Sequence, residues 1–197
     1  MDAKVGAALR RALQKWCAQP GAFTAARNGG AEAVLRNAVL GELEVELACL
    51  GFAEARGKRV DADLAVIGAE PACFEFKHGM LHPHQFSSIR RDSENALGQL
   101  LNVPAVARYY VHFVHFLECD DPNAGCASEH NSRVSTSYKQ FQVTTNLREW
   151  LSAVTEMLGP VWQEVPIRQE RFPDVRATLY CWAFGVEANG RVALPHG

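Results

Sequence analysis

Two short apolar segments carry the ionisable residues best placed for chemistry. "RVDADLAVI" holds Asp61 and Asp63, and "ACFEFK" holds Glu75 and Lys77. Each pair is spaced by two, so in extended chain each pair shares one face. A tight antiparallel connection sets an aspartate of the first segment beside Glu75 of the second. Two carboxylates a few ångströms apart repel and raise each other's pKa. A divalent cation resolves that repulsion. Mg2+ is hard, prefers oxygen, and is commonly held by one or two carboxylates, with water and phosphate completing its shell; Mn2+ suits the same ligands. A lysine beside such a pair can position an attacking water or help deprotonate it. The cation stabilises the charge that develops on phosphorus. The bland alternative is an ion pair on a half-exposed edge strand. The tripeptide E-x-K decides nothing by itself: with fifteen Glu and five Lys in 197 residues, chance supplies about 0.4 matches. Context singles this one out, because Lys77 ends an apolar strand and an aspartate strand precedes it.

The surrounding pattern says which elements hold these residues. Val5, Leu9, Leu13 and Trp16 recur at helical spacing, predicting a helix over 2–18 that Pro20-Gly21 ends. Residues 21–30 read as a loop. In "AEAVLRNAVLGELEVELACLG", Leu35, Val39, Leu43, Leu47 and Leu50 predict one long helix closed by Gly51. "LEVELAC" alternates as a strand would, but the helical period starts earlier and runs through it. "FAEARGKRVDADLAVI" reads as a hairpin turning at Gly57-Lys58, with its second strand over 60–67, and "ACFEFK" as a third strand. Phe74 and Phe76 take one face of that strand; Cys73, Glu75 and Lys77 take the other. "SSIRRDSENALGQLLN" reads as a helix. "ARYYVHFVHFLEC" reads as a central strand buried on both faces. Residues 119–133 read as a polar loop and "RVSTSYKQFQVTT" as a strand. Asn146, with Glu149 three residues on, predicts a capped helix to Leu158. The tail, 161–194, reads as β with a turn at Asn189-Gly190.

This is an α/β chain. The order helix, "RVDADLAVI", "CFEFK", helix, buried strand resembles the PD-(D/E)XK nuclease superfamily over about residues 31–118. The resemblance implies a restriction-endonuclease-like core, αβββαβ, with a central mixed sheet flanked by helices. Residues 1–197 then form a single domain with a C-terminal extension over about 134–194. It further implies a metal-dependent nuclease acting on DNA, with RNA as an alternative substrate, and a homodimer, since many relatives dimerise. By family pattern, Asp63 and Glu75 bind Mg2+ or Mn2+, and Lys77 activates the water. Asp63 is preferred because Leu64-Ala65-Val66 follows it; Asp61 is the runner-up. Members often add a glutamate from the first core helix. Among Glu32, Glu42, Glu44 and Glu46, the choice falls on Glu42, then Glu46, four apart beside the apolar stripe. No proline precedes either aspartate, a small departure from the pattern. An inactive protein of the same fold, serving as a nucleic-acid or protein interaction module, is the rival reading.

Softer signals lie nearby. His78, His82 and His84 follow the strand, and His78 is a candidate phosphate contact. Arg90 and Arg91 open the next helix and suit a phosphodiester backbone, though a solvated helix face explains them as well. His112 and His115 are three apart on a strand, so they face opposite ways and read as satisfied sheet histidines. Cys119, Cys126 and His130 could bind Zn2+, but the spacing matches no zinc motif. Walker, G-x-S-x-G, G-x-G-x-x-G and H-E-x-x-H motifs are absent. The net charge of −2 gives no global basic field, so a nucleic acid requires a local basic patch or a metal. Six cysteines without C-x-x-C, no signal-like start and no apolar run long enough to span a bilayer predict reduced thiols, a cytoplasmic location and no membrane partner.

Overall fold

A computed structural model describes residues 2–27, 31–56, 61–68, 71–103, 107–121, 123, 125–132, 141–170, 174–187 and 192–193. In chain order the elements are α1 (Ala3–Cys17), α2 (Ala22–Arg27), α3 (Ala31–Leu47), β1 (Leu50–Arg56), β2 (Asp61–Ile67), β3 (Ala72–Met80), α4 (Phe86–Leu101), β4 (Ala107–Cys119), α5 (Gly125–Ser132), β5 (Phe141–Gln142), α6 (Thr144–Leu158), β6 (Gln163–Pro166), β7 (Val175–Val186) and β8 (Val192–Ala193). A short 3-10 turn, Pro83–Gln85, precedes α4. The fold is α/β. One mixed sheet runs β1-β2-β3-β4-β7-β6, with β5 added to β4 and β8 to β7. Among the described residues, only the β3–β4 and β4–β5 pairings are parallel. The β3–β4 pairing needs a crossover, and α4 provides it.

Each face of the sheet has its own apolar layer. Leu9, Leu13 and Trp16 of α1 and Leu35, Val39 and Leu43 of α3 pack on one face, against Phe74, Phe76, Val111 and Phe113. Ile89, Ala96 and Leu100 of α4 and Trp150 and Val154 of α6 pack on the other, against Cys73, Tyr110, Val114 and Trp182. Apolar positions alternate between the layers along β4, which explains its nearly continuous apolar run.

The helix competing with the "LEVELAC" alternation forms, but it ends at Leu47 rather than Gly51. Ala48 takes a positive φ of 47°, and the chain turns into β1. Gly51 therefore lies in a strand and caps nothing. A Cβ there would sit 1.9 Å from Leu40 Cδ1, so the glycine admits the close packing of α3 on β1. Two expected loops contain helices instead: α2 within 21–30 and α5 within 119–133. Of the expected strand at 133–145, Phe141–Gln142 form β5, and residues 133–140 lie outside the described ones. Helix α6 begins at Thr144, so Asn146 sits in its first turn and Val143 is the cap; its end before Gly159 is as expected. Residues 57–60 and 188–191, with both expected turns, lie outside the described residues.

Candidate functional site

The arrangement at Glu75 begins with backbone hydrogen bonds. β2 pairs with β3 antiparallel, Val66 opposite Ala72 and Leu64 opposite Phe74, and there the ladder stops. β2 stays with β1, Ala62 opposite Ala55. β3 runs on to Met80 beside β4. The two strands fork, and one edge of β3 loses its ladder acceptors at residues 75–80. Unpaired buried N–H groups are costly, so acceptors must come from elsewhere. Two carboxylates supply them. Asp63 Oδ2 accepts from the Phe76 N–H at 2.9 Å, and Glu32 Oε2 accepts from the His78 N–H at 3.0 Å.

Continued by one residue, the β2–β3 register sets Asp63 opposite Glu75. Both are buried, at 8% and 2% exposure. Lys77 Nζ lies 3.6 Å from Asp63 Oδ2 and 3.6 Å from Glu75 Oε2, bridging the two. Burial, then the charge of Asp63 and a hydrogen bond shared with it, push Glu75 up to about 8, against the partial relief of Lys77. Glu32 of α3 is raised as well, first by burial; Lys77 lowers it and Asp63 raises it, so it lies within electrostatic reach of both. The cluster is thus three carboxylates and one ammonium on α3, β2 and β3.

The preferred helix glutamates lie elsewhere. Glu42 meets Arg11 Nε at 3.0 Å and Lys15 Nζ at 2.5 Å, and Glu46 meets Arg11 at 2.5 Å. Lys15 and Arg11 hold the Glu42 carboxyl below its ordinary range. Ten residues of helix separate Glu42 from Glu32, about 15 Å along the axis. Glu42 and Glu46 do share a face, but that face meets α1. The i, i+4 pair Arg11 and Lys15 was the legible signal, since it matches theirs in spacing and opposes it in charge. Glu32, in the first turn of α3, is the glutamate brought to the fork.

The remaining expected residues divide. Asp61 opens β2 opposite Arg56, and its side chain lies outside the described residues. His78 is not presented to a phosphate. Its ring stacks on His115 at 5.0 Å, its Nε2 meets His115 Nδ1 at 3.2 Å, and burial lowers it to about 4, so it carries no charge at neutral pH. Arg90 and Arg91 are exposed on α4, with Arg91 3.6 Å from Asp92. Cys119 is buried in β4; the side chains of Cys126 and His130 lie outside the described residues. The described cysteines, 17, 49, 73, 119 and 181, are free thiols.

Among the described residues no three His, Cys, Asp or Glu side chains are gathered closely enough to enclose a metal ion. Mg2+ does not need three, since one or two carboxylates plus water commonly hold it. Asp63 and Glu75 fit that requirement: they are hard oxygen donors, buried, side by side and mutually repelling. A groove of about 780 Å3 between α4 and α6 lies apart from them, lined by Phe86, Arg90, Ser93 and Met157 among others, and by none of Asp63, Glu75 and Lys77. No helix among the described residues is long and apolar enough to cross a membrane. Compared with protein-family models, with curated proteins and with solved structures, the chain finds no match.

Proposed function

We propose that this chain is a metal-dependent nuclease that hydrolyses phosphodiester bonds in DNA, on a restriction-endonuclease-like core formed by α3, β1, β2, β3, α4 and β4. One observation carries the reading: half-buried Lys77 converges on the buried carboxylates of Asp63 and Glu75 where β2 leaves β3. Burying a second carboxylate beside the first raises its pKa strongly, and buried carboxylates perturbed in this way cluster at functional sites. In this reading Asp63 and Glu75 hold Mg2+ or Mn2+. The bound cation supplies Lewis-acid stabilisation of charge on the phosphate. Lys77 orients the attacking water, and Glu32, within electrostatic reach of Lys77 and Asp63, would be a further acceptor for that water. Arg90 and Arg91, exposed on α4, are placed to meet a phosphodiester backbone, Arg91 by exchanging its contact with Asp92.

The test is cleavage of supercoiled plasmid, single-stranded DNA and RNA with Mg2+ or Mn2+, by wild type, Asp63→Asn, Glu75→Gln and Lys77→Ala. Wild-type cleavage of DNA lost in all three variants supports the reading. Equal cleavage by the variants overturns it, and cleavage of RNA alone changes the substrate. A second reading, an interaction module without activity, is favoured by Lys77 itself, which already occupies the space between the two carboxylates as a shared ion-pair partner at 3.6 Å from each. It predicts no cleavage by any form.

A further inference from the structure

Behind Glu75 and Lys77 lies a buried polar chain whose hydrogen-bond directions can be worked out. Ser93 of α4 places Oγ 2.6 Å from the Ile89 carbonyl and 2.9 Å from the Tyr110 hydroxyl. Tyr110 O lies 2.5 Å from His112 Nδ1. All three side chains are buried, at 5%, 0% and 2% exposure. The Ile89 carbonyl can only accept, and at 2.6 Å a proton must lie between it and Oγ. Ser93 has one proton and gives it to Ile89, so towards Tyr110 it must accept. Tyr110 has one proton and gives it to Ser93, so towards His112 it too must accept. His112 Nδ1 therefore carries the hydrogen. Burial, reinforced by His78 and Lys77, holds the ring neutral by pushing its pKa down to about 3. A neutral ring protonated at Nδ1 has a bare lone pair at Nε2, on its far edge from the backbone.

That lone pair belongs to the face that carries the candidate site. Parallel pairing of β3 with β4 sets Glu75 opposite Tyr110 and Lys77 opposite His112, and strand alternation keeps all four on one face. Lys77 is also close enough to act on His112 electrostatically. We infer that the Ile89–Ser93–Tyr110 chain fixes His112 as an acceptor at Nε2, and that His112 is a positioning residue holding the water on which Lys77 acts. The inference rests on the nuclease reading for its role, but not for the tautomer. A lysine ammonium is donor-only, and the carboxylates are engaged by backbone N–H groups and by Lys77 itself. A bare nitrogen on the neighbouring strand gives a water one more acceptor and so fixes its orientation.

The experiment is long-range proton–nitrogen NMR on the 15N-labelled full chain at neutral pH. The His112 resonances are identified by their response to Tyr110→Phe, which deletes one oxygen, and by their loss in His112→Gln. In wild type, Nδ1 is expected protonated and Nε2 unprotonated, displaced from the free-imidazole position by an accepted hydrogen bond. In Tyr110→Phe the tautomer becomes mixed. A protonated Nε2 in wild type, or a bare one at the free-imidazole position, overturns the inference. In the cleavage assay, Tyr110→Phe and Ser93→Ala are expected to lower kcat about tenfold, the loss expected for one neutral hydrogen bond, with KM unchanged. An unchanged kcat overturns the positioning role. Wild type that shows the bare nitrogen yet cleaves nothing overturns the nuclease reading and the role with it, and leaves the tautomer standing.

Discussion

Glu75→Gln should make the protein more stable, and increasingly so as pH rises. Glu75 is 2% exposed, beside Asp63, with a carboxyl raised from 4.5 to about 8, mainly by burial and then by Asp63. Below pH 4.5 folded and unfolded chains both hold the proton, and the group adds no pH dependence. From 4.5 to 8 the folded chain keeps a proton that the unfolded chain has shed, so stability falls as pH rises. Above 8 the full penalty is present. At about 1.4 kcal/mol per pH unit, the penalty reaches about 3 kcal/mol at pH 7. Glutamine has the shape of the protonated acid and no charge to shed. Urea-denaturation midpoints for wild type and Glu75→Gln, taken from pH 5 to 8.5 without divalent cations, measure the difference directly. The two should nearly coincide at pH 5 and separate steadily above it. Mg2+ should then stabilise wild type more than the variant, since it favours the ionised pair. A gap that stays constant with pH would refute the argument that Glu75 is a buried acid held against its own ionisation.

Other perturbations test neighbouring parts of the account. His112 and His115 are almost fully buried, and burial lowers both to about 3. The stability this gives is complete above pH 6.5 and is lost as pH falls towards 3, because the unfolded chain takes protons the folded one refuses. In Glu75→Gln, which removes a slope of opposite sign, urea denaturation should register a loss of about 3 kcal/mol between pH 6.5 and pH 5 from these two rings, and His78, lowered in the same direction, adds to it. Gly51→Ala should cost about 1 kcal/mol by driving a methyl into Leu40, and Leu40→Ala in the same chain should cancel most of that in a double-mutant cycle. Glu32→Ala should abolish Mg2+-dependent cleavage, whereas Glu42→Ala should leave the rate intact and cost under about 1 kcal/mol in thermal unfolding, as exposed partners pair weakly.

Period and pairing explain which features the sequence disclosed. The two-residue spacing of Asp61 and Asp63 and of Glu75 and Lys77 places both segments as strands, which the structure shows, and in the second strand Phe74 and Phe76 share one apolar layer while Cys73 lies in the other. The apolar run of β4 reads as buried on both sides for the same reason. What spacing cannot carry is which face of a helix meets which neighbour. Glu42 and Glu46 look as suitable as Glu32 until α1 is seen to bring Arg11 and Lys15 against them. Nor does it carry the fork of β2 from β3, which is a missing ladder rather than a residue pattern, and which explains why Asp63 and Glu32 turn towards backbone N–H groups. His78 illustrates the same limit. Its position suits a phosphate contact, but alternation sends its ring to the opposite side from Lys77, onto His115. The short helices α2 and α5 have too few residues to show a period, so their polar and small residues read as loop.

If Asp63, Glu75 and Lys77 form a phosphodiesterase centre, cleavage must depend on the Lys77 ammonium. The most direct measurement is the initial rate of nicking of supercoiled plasmid in Mg2+ by wild type and by Lys77→Ala, with folding of the variant confirmed by circular dichroism. The expected result is cleavage that depends on the cation and falls by about a hundredfold or more in the folded variant. A folded Lys77→Ala that nicks DNA as fast as wild type, or a wild type that nicks none, would contradict it.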